Sequence, residues 1–187
     1  MWLGNGFKSG NAYFGIPEKA REYASGVYNE ETGLVKFRNA CWLTNIDHGL
    51  RHQPLPLMTM GDNFRFSRHK DIKGRTAYIP FENYDAIEVP FTDAIPSDYD
   101  GVMGVPISFL SKYCPEQFEI IGTSDNGLVD DIFKKTDGLS KKFVDDYYKA
   151  GGTGAYKQGN PTAGYYKDNI AKMAYKRIFI RHWKSKK

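Results

Sequence analysis

The chain has 187 residues, 41% hydrophobic and 26% charged, with a formal net charge of +4, enough for one cored domain or a domain with a small appendage. No apolar run reaches the roughly 20 residues of a membrane helix and no charged-then-apolar leader opens the sequence, so neither a span nor a secretory signal is expected, and the expected location is cytoplasmic. Cys41 and Cys114 lie far apart and outside any CxxC spacing, which excludes a disulfide framework or a local zinc motif as the organising device.

In chain order, two short extended pieces, 1–4 and 12–17, flank the turn-forming Asn5-Gly6-Phe7-Lys8-Ser9-Gly10 and predict a strand-loop-strand. Glu30-Glu31-Thr32-Gly33 predicts a turn, and 34–46 predicts a strand that alternates at first and becomes apolar, with its core part at 40–45. Pro54, Pro56 and a polar, Gly-containing composition predict irregular chain over 53–74, any regular part being a short exposed strand through Arg65, Phe66 and Arg68. A strand is predicted over 86–89. Pro106 in the first turn predicts a short helix over 107–113, which Pro115 ends by restricting Cys114, and a strand follows over 118–122. Helical spacing predicts two short amphipathic helices over 128–135 and 140–150, the second stopped by Gly151-Gly152, followed by a glycine-rich loop over 151–164. The closing strand, 174–183, places Tyr175, Arg177, Phe179 and Arg181 on one face and Lys176, Ile178, Ile180 and His182 on the other.

Charge is polarised along this order. Arg51, Arg65, Arg68, Lys70, Lys73 and Arg75 face only Asp62 and Asp71, and Lys172, Lys176, Arg177, Arg181, Lys184, Lys186 and Lys187 run without an acid. Between them Glu82, Asp85, Glu88, Asp93, Asp98 and Asp100 stand without a base. Basic surface of this kind suits a phosphate backbone as well as a merely solvated face. His48 and His52 have metal-ligand spacing beside Asp47, but Gly49 and Pro54 disfavour a helix and no further ligand is near, so no metal site is assigned. Asp98 and Asp100 read as a turn rather than a catalytic pair, and Gly4-Asn5-Gly6 and Gly101-Val102-Met103-Gly104 lack the spacing of a dinucleotide loop. Trp2, Trp42, Tyr84 and Trp183 are candidates for stacking on bases; Trp2 and Trp42 sit in core contexts, and Trp183 lies among cations.

One ordered set of motifs spans almost the whole chain: Trp2-Leu3-Gly4, Gly10-Asn11-Ala12-Tyr13-Phe14, Trp42-Leu43-Thr44-Asn45-Ile46-Asp47, Arg51-His52, Asn83-Tyr84-Asp85-Ala86-Ile87-Glu88-Val89, Asp98-Tyr99-Asp100-Gly101-Val102-Met103-Gly104-Val105-Pro106-Ile107, Cys114-Pro115-Glu116-Gln117-Phe118-Glu119-Ile120-Ile121-Gly122 and Tyr175-Lys176-Arg177-Ile178-Phe179-Ile180-Arg181. This set resembles the C-terminal half of the EcoRI-type adenine-specific DNA methyltransferases. The resemblance implies transfer of a methyl group from S-adenosylmethionine to adenine N6 in duplex DNA, on an extruded base. It implies an α/β fold: the C-terminal part of a Rossmann-like methyltransferase sheet (1–60) with an irregular α+β target-recognition region (61–187). The Asn-Pro-Pro-Phe type motif and glycine-containing cofactor turn of the family lie ahead of its Trp-Leu-Gly segment, and Asn160-Pro161-Thr162 is no substitute, so no catalytic or cofactor-binding residue is carried over.

The expectation is therefore a DNA-contacting portion, inactive by itself, with no cofactor of its own, whose partners are double-stranded DNA and a separate N-terminal methyltransferase half. Arg51, His52, Lys70, Lys73, Arg75, Arg177, Arg181 and Lys184 are the expected DNA contacts. Segments 63–75 and 125–172 match the family pattern poorly and read as insertions. The alternative is a non-enzymatic nucleic-acid or partner-binding module, or a degenerate remnant of such an enzyme.

Overall fold

A computed structural model describes residues 3–4, 11–18, 28–38, 42–43, 47, 49–124 and 135–183, and the chain divides into two compact units, 1–48 and 49–187. The first unit contains β1 (Leu3–Gly4), β2 (Asn11–Gly15), β3 (Tyr28–Asn29), β4 (Leu34–Arg38) and β5 (Trp42–Leu43). β4 lies between β2 and β3, and β1 pairs with β5, all antiparallel. Asn29 builds the β3–β4 turn: its Oδ1 accepts from Thr32 N–H at 2.9 Å, its carbonyl accepts from Gly33 N–H at 2.9 Å, and Gly33 takes the left-handed φ of 67° that glycine tolerates. The strand expected over 34–46 is present as β4 and β5; 39–41 and 44–46 lie outside the described residues.

The second unit opens with a 3-10 turn, Gly49–His52, then α1 (Met60–Phe66), β6 (Ile79–Pro80), β7 (Ala86–Glu88), β8 (Val102–Pro106), a 3-10 helix Ile107–Lys112, β9 (Phe118–Thr123), α2 (Lys141–Lys149), β10 (Gly164–Lys167), β11 (Ile170–Met173) and β12 (Arg177–His182). Five strands form a sheet in the order β6-β7-β8-β12-β9, with β7 and β8 parallel and the other neighbours antiparallel. This is the mixed α/β class that the sequence suggested.

The last strand occupies an interior position, and its composition explains why. Ile178, Phe179 and Ile180 are consecutive and all buried, the continuous apolar run of a strand covered on both faces. Ile178 and Ile180 pack with Val89, Met103, Val105, Phe109 and Phe118, while Phe179 packs on the opposite face with Phe81, Tyr84, Ala86 and Ala163. Gly104 of β8 pairs with Phe179. A Cβ there would lie 2.6 Å from the Phe81 ring, so the glycine lets Phe81 and Phe179 meet edge to face at 6.0 Å.

Two local features depart from the sequence reading. The stretch expected to be irregular, with an exposed strand through Arg65 and Phe66, contains α1 instead. Thr59 caps it: its Oγ1 accepts from Asp62 N–H at 3.1 Å and donates to Asp62 Oδ2 at 2.7 Å, while Asp98 Oδ1 accepts from Met60 N–H at 2.7 Å. Met60 and Phe64, one turn apart, then pack against the main core. The second departure is the hairpin β10–β11, closed by Asp168-Asn169 with φ of 53° and 63°, the pair of left-handed residues that a tight two-residue hairpin turn requires.

The 140–150 helix is present as α2, capped by Ser140 Oγ accepting from Phe143 N–H at 3.2 Å and followed by Gly151 at φ 87°. Phe143 joins Leu139 and Ala171 in a third buried cluster, against β11. The expected helix over 128–135 falls almost entirely outside the described residues. No helix among the described residues is long and apolar enough to cross a membrane.

Candidate nucleic-acid interface

The basic stretch after α1 is a fastened loop. Ser67 N–H donates to the Asn63 carbonyl at 3.0 Å, Ile72 and Lys73 N–H to the His69 carbonyl at 3.0 and 2.9 Å, and Gly74 N–H to the Phe64 carbonyl at 2.8 Å. The loop thus returns to the helix end from which it left, and the buried Ile72 side chain joins the main core. On one side the His69 ring stacks on Phe91, centroids 3.7 Å apart and 4° from parallel, with Nε2 2.8 Å from Asp93 Oδ1. Arg68 Nη2 lies 2.8 Å from the other Asp93 oxygen. Burial raises the Asp93 carboxyl, but the His69 hydrogen bond and the neighbouring positive charges more than offset it and hold the group below its ordinary value.

On the other side Asp71 pairs with Lys167 of the hairpin, and this hydrogen bond holds its carboxyl below the ordinary value. Arg75 Nε donates to the Asp71 carbonyl at 2.5 Å, and its Nη2 is 4.0 Å from Asp168. Between these anchors Lys70 and Lys73 are exposed, with no ion partner among the described residues. Arg65 is exposed on α1, and Lys172 of β11 lies near enough to act electrostatically on Asp71. The loop and hairpin therefore present cations from two chain segments. Arg65, Arg68 and Lys172 were absent from the expected contacts; Thr59-x-x-Asp62 is the unused sequence signal that would have placed Arg65 in the last turns of a helix and Arg68 just past its end.

The remaining expected contacts lie in different settings. Arg177 reaches Glu88 with Nε at 3.0 and 3.1 Å from its two oxygens and Nη2 at 2.5 Å from Oε1; the side chains are 11% and 3% exposed. Burial pushes the Glu88 carboxyl up, and the two-pronged arginine contact opposes that. Arg181, half exposed, donates from Nε to Glu119 Oε2 at 2.6 Å, across the β12–β9 pair. His52 Nδ1 is 2.5 Å from Glu116 Oε1, and Cys114 Sγ donates to Oε2 of the same carboxylate at 3.2 Å. Burial pushes that thiol up, leaving it a poor nucleophile. Arg51 is half-buried, and Lys184 lies outside the described residues.

Of the stacking candidates, Trp183 is exposed, whereas Tyr84 is buried with its hydroxyl donating to the Pro161 carbonyl at 2.6 Å and its pKa pushed up to about 12 by desolvation. Asn83 ties the same block to 162–164, its Nδ2 donating to the Thr162 carbonyl at 3.0 Å and its Oδ1 accepting from Gly164 N–H at 3.1 Å. Asp98, already committed to the α1 N-terminus, is no partner for Asp100 in acid–base work.

Between loop, sheet and hairpin lies a cavity of about 50 Å³, walled by Asp71, Arg75, Tyr78, Glu88, Tyr165 and Lys167 among others. Small-molecule sites occupy about 300 Å³ or more. S-adenosylmethionine does not fit this one, and no methyl-transfer step is assigned to its residues.

Comparison with known proteins places this architecture. A family model described as adenine-specific methyltransferase EcoRI matches residues 1–183. The chain is 40% identical over 123 residues to the type II methyltransferase M.EcoRI of Escherichia coli, covering 65% of this chain and 35% of that protein. It is 39% identical over 80 residues to the type II methyltransferase M.MpnI of Mycoplasma pneumoniae, covering 43% and 22%. It is 50% identical over 44 residues to M.MgeORF184P of Mycoplasma genitalium, covering 24% and 14%. The matched stretch is thus about a third or less of each relative's length. No solved structure matches the chain. With nearly every residue inside the family model, the chain belongs to the EcoRI adenine-specific methyltransferase family.

Proposed function

We propose that this chain is the DNA-contacting portion of an S-adenosylmethionine-dependent adenine-N6 DNA methyltransferase, inactive by itself and completed by an N-terminal methyltransferase half that holds cofactor and target base. The observation that carries the reading is the loop after α1: Lys70 and Lys73 are exposed and without ion partners among the described residues, on a backbone fixed by Asp93, Asp71 and the buried Ile72. Exposed cations on a fixed backbone meet phosphate without the cost of ordering the loop, and they release counterions from DNA. Exposed Arg65 and Lys172 extend the same basic surface, with Arg51 and Lys184 as further contacts, whereas Arg68, Arg75 and His52 border it with Asp93, Asp168 and Glu116 already beside them.

Arg177 and Arg181 serve the sheet in this reading, their charges answered by Glu88 and Glu119. The duplex backbone supplies most of the affinity, and base discrimination is completed together with the N-terminal half. Calorimetric titration of the chain alone tests the reading. Duplex DNA should bind with strong salt dependence, whereas S-adenosylmethionine should give no heat. Stoichiometric cofactor binding by the chain alone, or DNA affinity indifferent to salt, would contradict it.

A further inference from the structure

The β10–β11 hairpin is rooted at one end and bare at the other. Its two-residue period gives it two faces, Gly164, Tyr166, Ala171 and Met173 on one and Tyr165, Lys167, Ile170 and Lys172 on the other. The first face packs against Leu139 and α2, where Phe143 meets the Tyr166 ring edge to face at 5.0 Å. On the second, Tyr165 reaches the five-stranded sheet and meets Phe81 edge to face at 6.1 Å. Beyond these root contacts Asp168, Asn169 and Ile170 are exposed, Ile170 at 48%, and Ile170 belongs to none of the clusters formed by the described residues. The tip is still held in place. Lys167 pairs with Asp71, Arg75 Nη2 lies 4.0 Å from Asp168, and Lys172 is near enough to act electrostatically on Asp71. Ribbon and loop are therefore bolted together at Asp71, the residue next to Lys70.

A two-stranded ribbon fits the major groove of duplex DNA, whereas the minor groove is about half as wide. The tip carries the two kinds of group that read an A·T pair there. The Asn169 side-chain amide makes no hydrogen bond among the described residues, so its adjoining donor and acceptor are available to adenine N6 and N7. Ile170, the next residue, offers an apolar surface for a thymine methyl. We infer that Asn169 and Ile170 are base-reading residues that select A·T pairs from the major groove. The turn itself does not demand this amide, because the second left-handed position of such a turn favours glycine. Nor is the tip composed for phosphate, since the other turn residue, Asp168, is acidic and its charge is answered by Arg75 of the loop.

The inference rests on the duplex-binding reading above, and one experiment separates the two. A pool of duplexes randomised over one helical turn is bound by the wild-type chain and by Asn169→Gly, and the retained sequences are read. The wild type should enrich A·T at particular positions. Asn169→Gly keeps a residue suited to the turn and removes the amide, so discrimination at one of those positions should fall about tenfold while the salt slope and the melting temperature stay unchanged. On the selected duplex, uracil in place of thymine should weaken wild-type binding about fourfold, and Ile170→Ser should lose that sensitivity. Equal retention of all sequences by the wild type, or an Asn169→Gly chain with the wild-type preference, overturns base reading by the hairpin and leaves the duplex-binding reading standing. Wild-type indifference to uracil overturns the role of Ile170. Absence of wild-type binding to any duplex overturns both readings.

Discussion

Two basic stretches of this chain carry the same signal in sequence and do opposite things in the structure. In β12 the arginines sit inside a sheet whose other strands bring carboxylates across from them, so Arg177 meets Glu88 and Arg181 meets Glu119. In the loop after α1 the acids hold the ends, Asp93 through His69 and Arg68 and Asp71 through Lys167, while Lys70 and Lys73 face solvent. In the proposed function a positive run meets DNA where the fold has not already answered it with acids, and that answer comes from segments distant in sequence.

The largest expected effect breaks the strand side of this contrast. Arg177→Ala leaves the Glu88 carboxylate buried and unpaired, at a cost of about 3–5 kcal/mol of stability. Burial already raises the Glu88 carboxyl, and losing Arg177 raises it further, so its native pKa lies above its unfolded one. The protonated form is then favoured by folding, and the variant should regain part of the loss as pH falls through the weakly acidic range. Chemical denaturation at several pH values checks this; a deficit independent of pH would mean that the pair is not the source.

Phe179→Ala, at the centre of the same strand, should cost about 3–5 kcal/mol, and Gly104→Ala about 1–3 kcal/mol by forcing a Cβ into the Phe81 ring. Thermal melts rank the two, and a neutral Gly104→Ala would show that the ring can retreat. On the loop side, Lys70→Ala and Lys73→Ala should each change stability by no more than about 0.5 kcal/mol while weakening DNA binding. A small acid effect belongs there too. The Asp71 and Asp93 carboxyls are held low in the folded chain, so their contribution is present above the ordinary carboxylate range and fades as pH falls through their lowered values. Asp71→Asn should blunt that acid sensitivity, and an unaltered acid melting profile would argue that Lys167 does not anchor the loop.

Legibility in the sequence followed locality. The strand over 118–123, the capped helix at 141–149 and the closing strand announce themselves through short apolar patterns and adjacent Pro or Gly, and the structure places them within a few residues of the expected bounds. The α1 helix hid behind Gly61 and the prolines upstream, although Thr59 and Asp62 spell its cap. The β10–β11 turn hid because Asp168-Asn169 is a less familiar turn pair than Asn-Gly. The division of arginine roles was beyond any local pattern: Arg177 and Glu88 stand 89 residues apart, and only the sheet order brings them together. Family motifs such as Asn83-Tyr84 proved to be packing and hydrogen-bonding residues, with the exposed cations in the segment that matched the family pattern poorly.

The most direct test of the contrast is the salt dependence of duplex binding, measured side by side for the wild type, Lys70→Ala, Lys73→Ala and Arg181→Ala. Each lysine substitution should flatten the slope of log affinity against log salt by about 0.9, and Arg181→Ala should leave it unchanged. Equal slopes for the wild type and both lysine variants, or a slope flattened by Arg181→Ala alone, would contradict the assignment of DNA contact to the loop and of structural charge to the strand.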